Sequence, residues 1–175
     1  MFGNKGLVQV YTGDGKGKTT AALGLLVRAA GHGARVVIIQ FMKGWNGYGE
    51  YKLLSKIKNI TLIHTGAPKC VSRGAESEWD KSEAENAFKY AKKYAAPQMC
   101  DMLILDELSW AISHGFIKTD DVLKLIDKKP EQLEIIITGR DVPQEIIDRA
   151  ELVSEIKEIK HPFAQGIKER KGIEY

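Results

Sequence analysis

The 175 residues, 43% apolar and 28% charged, suffice for a hydrophobic core and read as one domain, 1–175. A formal net charge of +3 is too small to argue for a nucleic-acid partner, and no apolar run approaches the roughly 18 residues of a membrane span, so neither partner is expected. Cys70 and Cys100, without a CxxC spacing, exclude a disulfide framework or a cysteine-rich zinc site and fit a reducing, cytoplasmic compartment.

Along the chain, the apolar run 7–11 predicts a first strand, followed by a glycine-rich turn and an Ala/Leu-rich helix over 19–30 with Gly31 as its C-cap. A second strand is expected over 35–41, then a loop over 42–49 and a short helix over 51–58. The run 60–64 predicts a third strand, with a loop over 65–75. A long amphipathic helix follows over 76–96, placing Trp79, Ala84, Ala87, Phe88, Ala91 and Tyr94 on one face and ending before Pro97. A fourth strand is expected over 102–106, a helix over 120–129 with Thr119 as N-cap, and a fifth strand over 133–138. A helix over 143–150 beginning with Pro143 and a last strand over 152–156 complete the pattern. Several strands are near-continuous in Val, Ile and Leu, as expected of strands covered on both faces. Alternation of strands and helices predicts an α/β fold with a doubly wound, mostly parallel sheet and a ligand at the carboxyl ends of its strands.

The turn carries the clearest chemistry. Thr12-Gly13-Asp14-Gly15-Lys16-Gly17-Lys18-Thr19-Thr20 lies between strand and helix, the setting a phosphate-binding loop requires. Glycines let backbone N–H groups turn inward around an anion, and the helix N-terminus adds further donors. Lys18 supplies a full positive charge and Thr19 a hydroxyl able to ligate Mg²⁺. The usual pattern begins with Gly; here Thr12 stands first and the glycine is displaced to Gly13. The alternative is a glycine-rich turn that merely joins two elements, but the flanks and the intact Gly-Lys-Thr favour nucleoside triphosphate binding.

The fourth strand ends in Asp106-Glu107, a carboxylate position suited to a Mg²⁺ beside the phosphates. Adjacent strand residues point to opposite sides, so the two acids are expected to differ in role. A direct metal contact, a water-mediated one and a general base are all open. Arg140, ending the fifth strand, either holds phosphate oxygens or caps a helix or pairs with Asp141. Lys43 takes the corresponding place after the second strand, as a ligand or as a solvated lysine. Arg28, some three turns into the first helix, reads as a partner for an acid or for another subunit.

The chain resembles the P-loop ATP:corrinoid adenosyltransferases, the cob(I)alamin or cob(I)yrinic acid a,c-diamide adenosyltransferases. The resemblance covers nearly its whole length. It rests on the ordered set 12–22, Gly31-His32-Gly33, Gln40-Phe41-Met42-Lys43-Gly44, Leu105-Asp106-Glu107-Leu108, Ile137-Thr138-Gly139-Arg140, the stretch 150–155, and His161-Pro162-Phe163 with Gly166-Ile167 and 171–175. Thr in place of the first Gly is typical of that family. The resemblance implies a RecA-like P-loop fold and transfer of the 5′-deoxyadenosyl group of ATP to the Co(I) of a reduced corrinoid, with triphosphate leaving. It implies ATP lying reversed in the loop, Gly13 to Thr19 as the triphosphate cradle with Thr20 beside it, and Lys18, Thr19 and Glu107 as catalytic groups. Thr19 and Glu107 are implied as Mg²⁺ (or Mn²⁺) ligands; Asp106 stays a further candidate for the metal, and Lys43 and Arg140 candidate nucleotide contacts, on their positions at strand ends. A homodimer and a flavoprotein reductant are implied partners.

Two departures stand out. Many relatives follow Thr-Gly after the third strand with an aromatic pair facing the corrin, whereas Thr65-Gly66 is followed here by Ala67-Pro68-Lys69-Cys70-Val71; Trp45, Tyr48 or Trp79 are the candidate substitutes. The phosphate loop also begins within a dozen residues of Met1, so closure of the site is expected from elsewhere, such as a second subunit. The competing readings are a RecA-like ATPase acting on nucleic acid, motivated by the acid pair, and a small nucleotide kinase, which lacks a recognisable arginine-rich lid.

Overall fold

The computed structural model describes residues 5–66 and 77–175. Six strands form one parallel sheet: β1 (Val8–Thr12), β2 (Val36–Gln40), β3 (Ile60–His64), β4 (Met102–Asp106), β5 (Glu134–Thr138) and β6 (Leu152–Glu155), in the order β3-β2-β4-β5-β1-β6. All of its strand pairings are parallel, so the expected "mostly parallel" sheet is parallel throughout. The chain crosses from β1 out to β2 and β3, then returns through β4 and β5 into the gap beside β1. This brings the ends of β2, β4 and β5 beside the phosphate loop.

Side-chain alternation divides the core between the two faces. Val36 and Ile38 of β2, Met102 and Ile104 of β4, and Ile136 of β5 face α1 (Lys18–Gly31) and Leu54 of α2 (Gly49–Leu54). Val37, Ile39, Leu103, Leu105, Ile135 and Ile137 face the opposite layer. That layer holds α3 (Glu78–Tyr94), α4 (Leu108–Ser113), α5 (Thr119–Asp127) and α6 (Gln144–Ile147). Ala22, Leu26 and Ala29 line the buried stripe of α1, which Leu26 anchors against the sheet.

The exceptions have local causes. α1 runs through Gly31, and Gly33, at φ 82°, takes the left-handed position after the cap His32. Lys118 rather than Thr119 stands at the N-cap of α5, without a side-chain cap bond. Ser77 caps α3 through a reciprocal pair with Asp80, and Trp79 points away from the expected apolar face, 51% exposed. α4 was not expected: its six residues, Leu-Ser-Trp-Ala-Ile-Ser, are too few to show a helical period. β6 is exposed at all four residues, unlike the covered strands. A short 3₁₀ turn, Pro162–Gln165, opens the final segment.

Candidate nucleotide site

The loop after β1 closes around a positive-φ backbone. Gly17, at φ 126°, sits where a side chain would be strained, and a Cβ on Gly13 would meet the Ile156 carbonyl oxygen at 2.5 Å. The Gly15 N–H donates to Ile156 O at 2.8 Å, so the loop is tied to the chain leaving β6. Gly17 caps α1 without a side-chain bond, leaving the first N–H groups of the helix directed at the loop. Lys18, 6% exposed, donates from Nζ to the carbonyls of Gly13 at 2.6 Å and Gly15 at 2.8 Å. Burial pulls its ammonium below the usual lysine range, opposed chiefly by Glu107. A cation so placed gains most from an incoming polyanion.

Asp106 is the hub of the site. It is fully buried and accepts from Thr19 Oγ1 at 2.9 Å, Thr138 Oγ1 at 2.7 Å, Gln40 Nε2 at 3.0 Å and Lys43 Nζ at 2.8 Å. Burial works against its charge, yet Lys43 and these hydrogen bonds hold the carboxyl below the usual carboxylate range. Lys43 Nζ lies also 3.0 Å from Thr19 Oγ1, so the ammonium bridges the end of β4 to the start of α1. For Lys43 too, burial opposes the charge, and Asp106 and then Glu107 carry it above the usual lysine range. The solvated-lysine alternative is thereby set aside: the Lys43 side chain is 22% exposed and fully engaged.

Glu107 differs from its neighbour, but not through strand alternation: β4 ends at Asp106, and Glu107 is the N-cap of α4. Its backbone is left-handed at φ 61°, and its N–H donates to Thr138 Oγ1 at 2.9 Å. The side chain faces the cleft, and burial, with Lys43 opposing, raises its pKa above the usual glutamate value. Arg140 crosses from the end of β5 to the loop, its Nη2 reaching the Asp14 carbonyl at 3.3 Å.

These groups border a cleft of about 740 Å³, within the range of a small-molecule site. Asp14 to Thr20, Lys43, Glu107 and Arg140 line its base. Tyr48 lines one side and meets Trp45 edge-on at 5.0 Å, and Trp45 in turn meets Tyr175 at 5.3 Å. The segment 161–175 supplies much of the remaining wall, including Phe163, Ile167, Ile173, Glu174 and Tyr175. Residues 67–76, which include the expected departure at 67–71, lie outside the described residues.

A family model, that of the ATP:corrinoid adenosyltransferases BtuR/CobO/CobP, matches residues 4–175. The chain belongs to the ATP:corrinoid adenosyltransferase family. This family member is 36% identical over 172 residues to the corrinoid adenosyltransferase of Escherichia coli, covering 98% of this chain and 86% of that one. It is 35% identical over 176 residues to that of Salmonella typhimurium, with the same coverage, and 33% identical over 171 residues to that of Pseudomonas aeruginosa, covering 98% and 84%. Among solved structures, the flagellar accessory protein FlaH of Methanocaldococcus jannaschii shares the fold, with a TM-score of 0.55 at 18% identity over 87% of this chain and 71% of that one. The family assignment favours the transferase over the nucleic-acid ATPase and the kinase.

The expected residues 14–20, Lys43, Glu107 and Arg140 come together at the cleft base. Gln40 and Thr138 as partners of Asp106, and the 161–175 segment as a wall, are not expected from the sequence. A polar residue directly after an apolar run, as in Val-Val-Ile-Ile-Gln and Ile-Ile-Ile-Thr, is the signal that marks the first two.

Proposed function

We propose that this chain transfers the 5′-deoxyadenosyl group of ATP to the Co(I) of a reduced corrinoid. The carrying observation is a phosphate loop with a buried lysine opening into a cleft that has apolar and aromatic walls. Cobalt's electron pair forms the bond to C5′, the C5′–O bond breaks, and triphosphate leaves with the bonding electrons. Charge gathers on the leaving oxygen, where the loop N–H groups, the N-terminus of α1 and Lys18 stabilise it. No protein side chain serves as the nucleophile, because the corrinoid supplies it.

The donor set suits Mg²⁺: the Thr19 hydroxyl and the Glu107 carboxylate are hard oxygen ligands, and a partly buried carboxylate gains from a cation. Thr19 and Glu107 are the residues that would hold it, with Asp106 fixing Thr19 from behind. The ion would neutralise phosphate charge. Lys43 orients Asp106 and Thr19, and Arg140 lies within reach of a phosphate chain. ATP in the reversed orientation exposes C5′ toward the walls formed by Tyr48, Phe163 and Tyr175, where a flat macrocycle finds apolar surface. The same reading carries a homodimer, a flavoprotein as source of cobalt reduction, and a cytoplasmic setting; among the described residues no helix is long and apolar enough to cross a membrane.

The test is product analysis after incubation with ATP, Mg²⁺ and chemically reduced cobalamin. Adenosylated product by its optical spectrum together with inorganic triphosphate is expected. ADP and phosphate without adenosylated product would overturn the reading.

A further inference from the structure

Of the motif Lys171-Gly172-Ile173-Glu174-Tyr175 only Tyr175 has a part in the chemistry above, yet the structure also lays Ile173 and Glu174 against the phosphate loop. Lys16 Nζ contacts Glu174 Oε1 at 2.8 Å and the Ile173 carbonyl at 3.4 Å. Arg170 holds the same carboxylate from the other side, its backbone N–H donating to Oε2 at 2.7 Å and its Nη2 to Oε1 at 3.0 Å. Tyr175 packs on Trp45, fixing the end of the segment to the loop after β2.

We propose that Glu174 is a positioning residue for ATP, acting through Lys16 to pin residues 170–175 across the phosphate loop as the outer wall of the cleft. Residues 13–17 hold three glycines, so little side-chain packing of their own stiffens them. Their rigidity comes from ties to other groups: Ile156 accepts from Gly15, Lys18 donates to the Gly13 and Gly15 carbonyls, Arg140 reaches the Asp14 carbonyl, and Glu174 restrains Lys16 on the outer side. A cradle of N–H groups binds an anion well only when its geometry is set beforehand, because ordering it on binding costs affinity. The pair also turns the Lys16 side chain toward the wall, leaving Lys18 as the lysine within the cradle. The carboxyl of Glu174, held at about 2 by Arg170 and then Lys16, stays ionised at any pH where the protein would work.

The proposal rests on ATP being the nucleotide and is tested by ATP affinity, measured calorimetrically with Mg²⁺ and no corrinoid, in Glu174→Ala, Lys16→Ala and the double variant. Glu174→Ala is expected to weaken ATP binding roughly five-fold, in line with a partly exposed ion pair. The double variant should lose no more than Lys16→Ala alone, and in turnover the loss should fall on the KM for ATP rather than on kcat. Glu174→Gln, which keeps the side-chain shape, serves as the second variant should the alanine form be poorly folded by circular dichroism. Unchanged affinity in Glu174→Ala and Glu174→Gln, or losses that add in the double variant, would overturn the proposal. Wild-type protein that makes no adenosylcobalamin sinks the functional reading; wild-type protein that makes it, with variants of unchanged affinity, sinks the positioning role alone.

Discussion

The Lys43 ammonium lies 2.8 Å from the fully buried Asp106 carboxylate and joins the ends of β2 and β4 beneath the phosphate loop. Removing one partner leaves a buried charge uncompensated. Lys43→Met is therefore expected to destabilise the fold by about 3 kcal/mol, whereas truncating an exposed pair such as Lys124–Asp121 should cost well under about 1 kcal/mol. Urea denaturation of both variants decides this; equal losses would refute the hub.

The same pair sets a pH window. Asp106 has a depressed folded pKa, so its contribution is complete above the usual carboxylate value of 3.8 and fades as pH falls through the folded one. Lys43 has a raised folded pKa, so its contribution is complete below the usual 10.5 and fades as pH rises through the folded one. The stability gap between wild type and Lys43→Met should be widest on a plateau that ends near about pH 10 and begins above the pH at which Asp106 and Glu107, deprived of the cation, take up protons in the variant. A gap that peaks within the plateau would contradict this assignment.

Glu107 behaves in the opposite sense. Burial raises its pKa, so the ionised form costs stability above the usual value of 4.5. Glu107→Gln should leave the melting temperature unchanged or higher while turnover falls about 100-fold, the mark of a group retained for function. A lowered melting temperature with normal turnover would place Glu107 among purely structural residues.

Lys18→Ala tests the cradle itself. The loss of its bonds to Gly13 and Gly15 leaves a mostly glycine-shaped loop intact, so far-ultraviolet circular dichroism should match wild type. Turnover should drop roughly 100- to 1,000-fold, the scale of one lost transition-state donor. Unchanged turnover would remove the loop from the chemistry.

Cys100 gives a structural check away from the site. Its side chain is buried, its thiol bonds to the Tyr94 carbonyl at 3.3 Å, and burial pushes its pKa up to about 12. Almost no thiolate is present at neutral pH, so iodoacetamide should spare Cys100 in the native protein and modify it after denaturation. Peptide mapping that finds rapid native alkylation would place Cys100 outside the core.

What the amino-acid order determined by itself was local in origin. Near-continuous apolar runs marked β2, β4 and β5 most clearly, because strands covered on both faces need few polar positions. The spacing of Gly13, Gly15 and Gly17 before Lys18-Thr19 marked the anion cradle, because its backbone geometry is a property of neighbouring residues. The tertiary structure decided everything that joins distant segments. Asp106 became a hub only once Gln40 and Lys43, from the end of β2 and the loop after it, and Thr138, from the end of β5, were brought to one end of the sheet. The approach of Glu174 to Lys16 spans 158 positions, and no periodicity or turn signal encodes such a contact. Short elements such as α4 likewise had no legible pattern, since their helical form depends on what they pack against rather than on their own six residues.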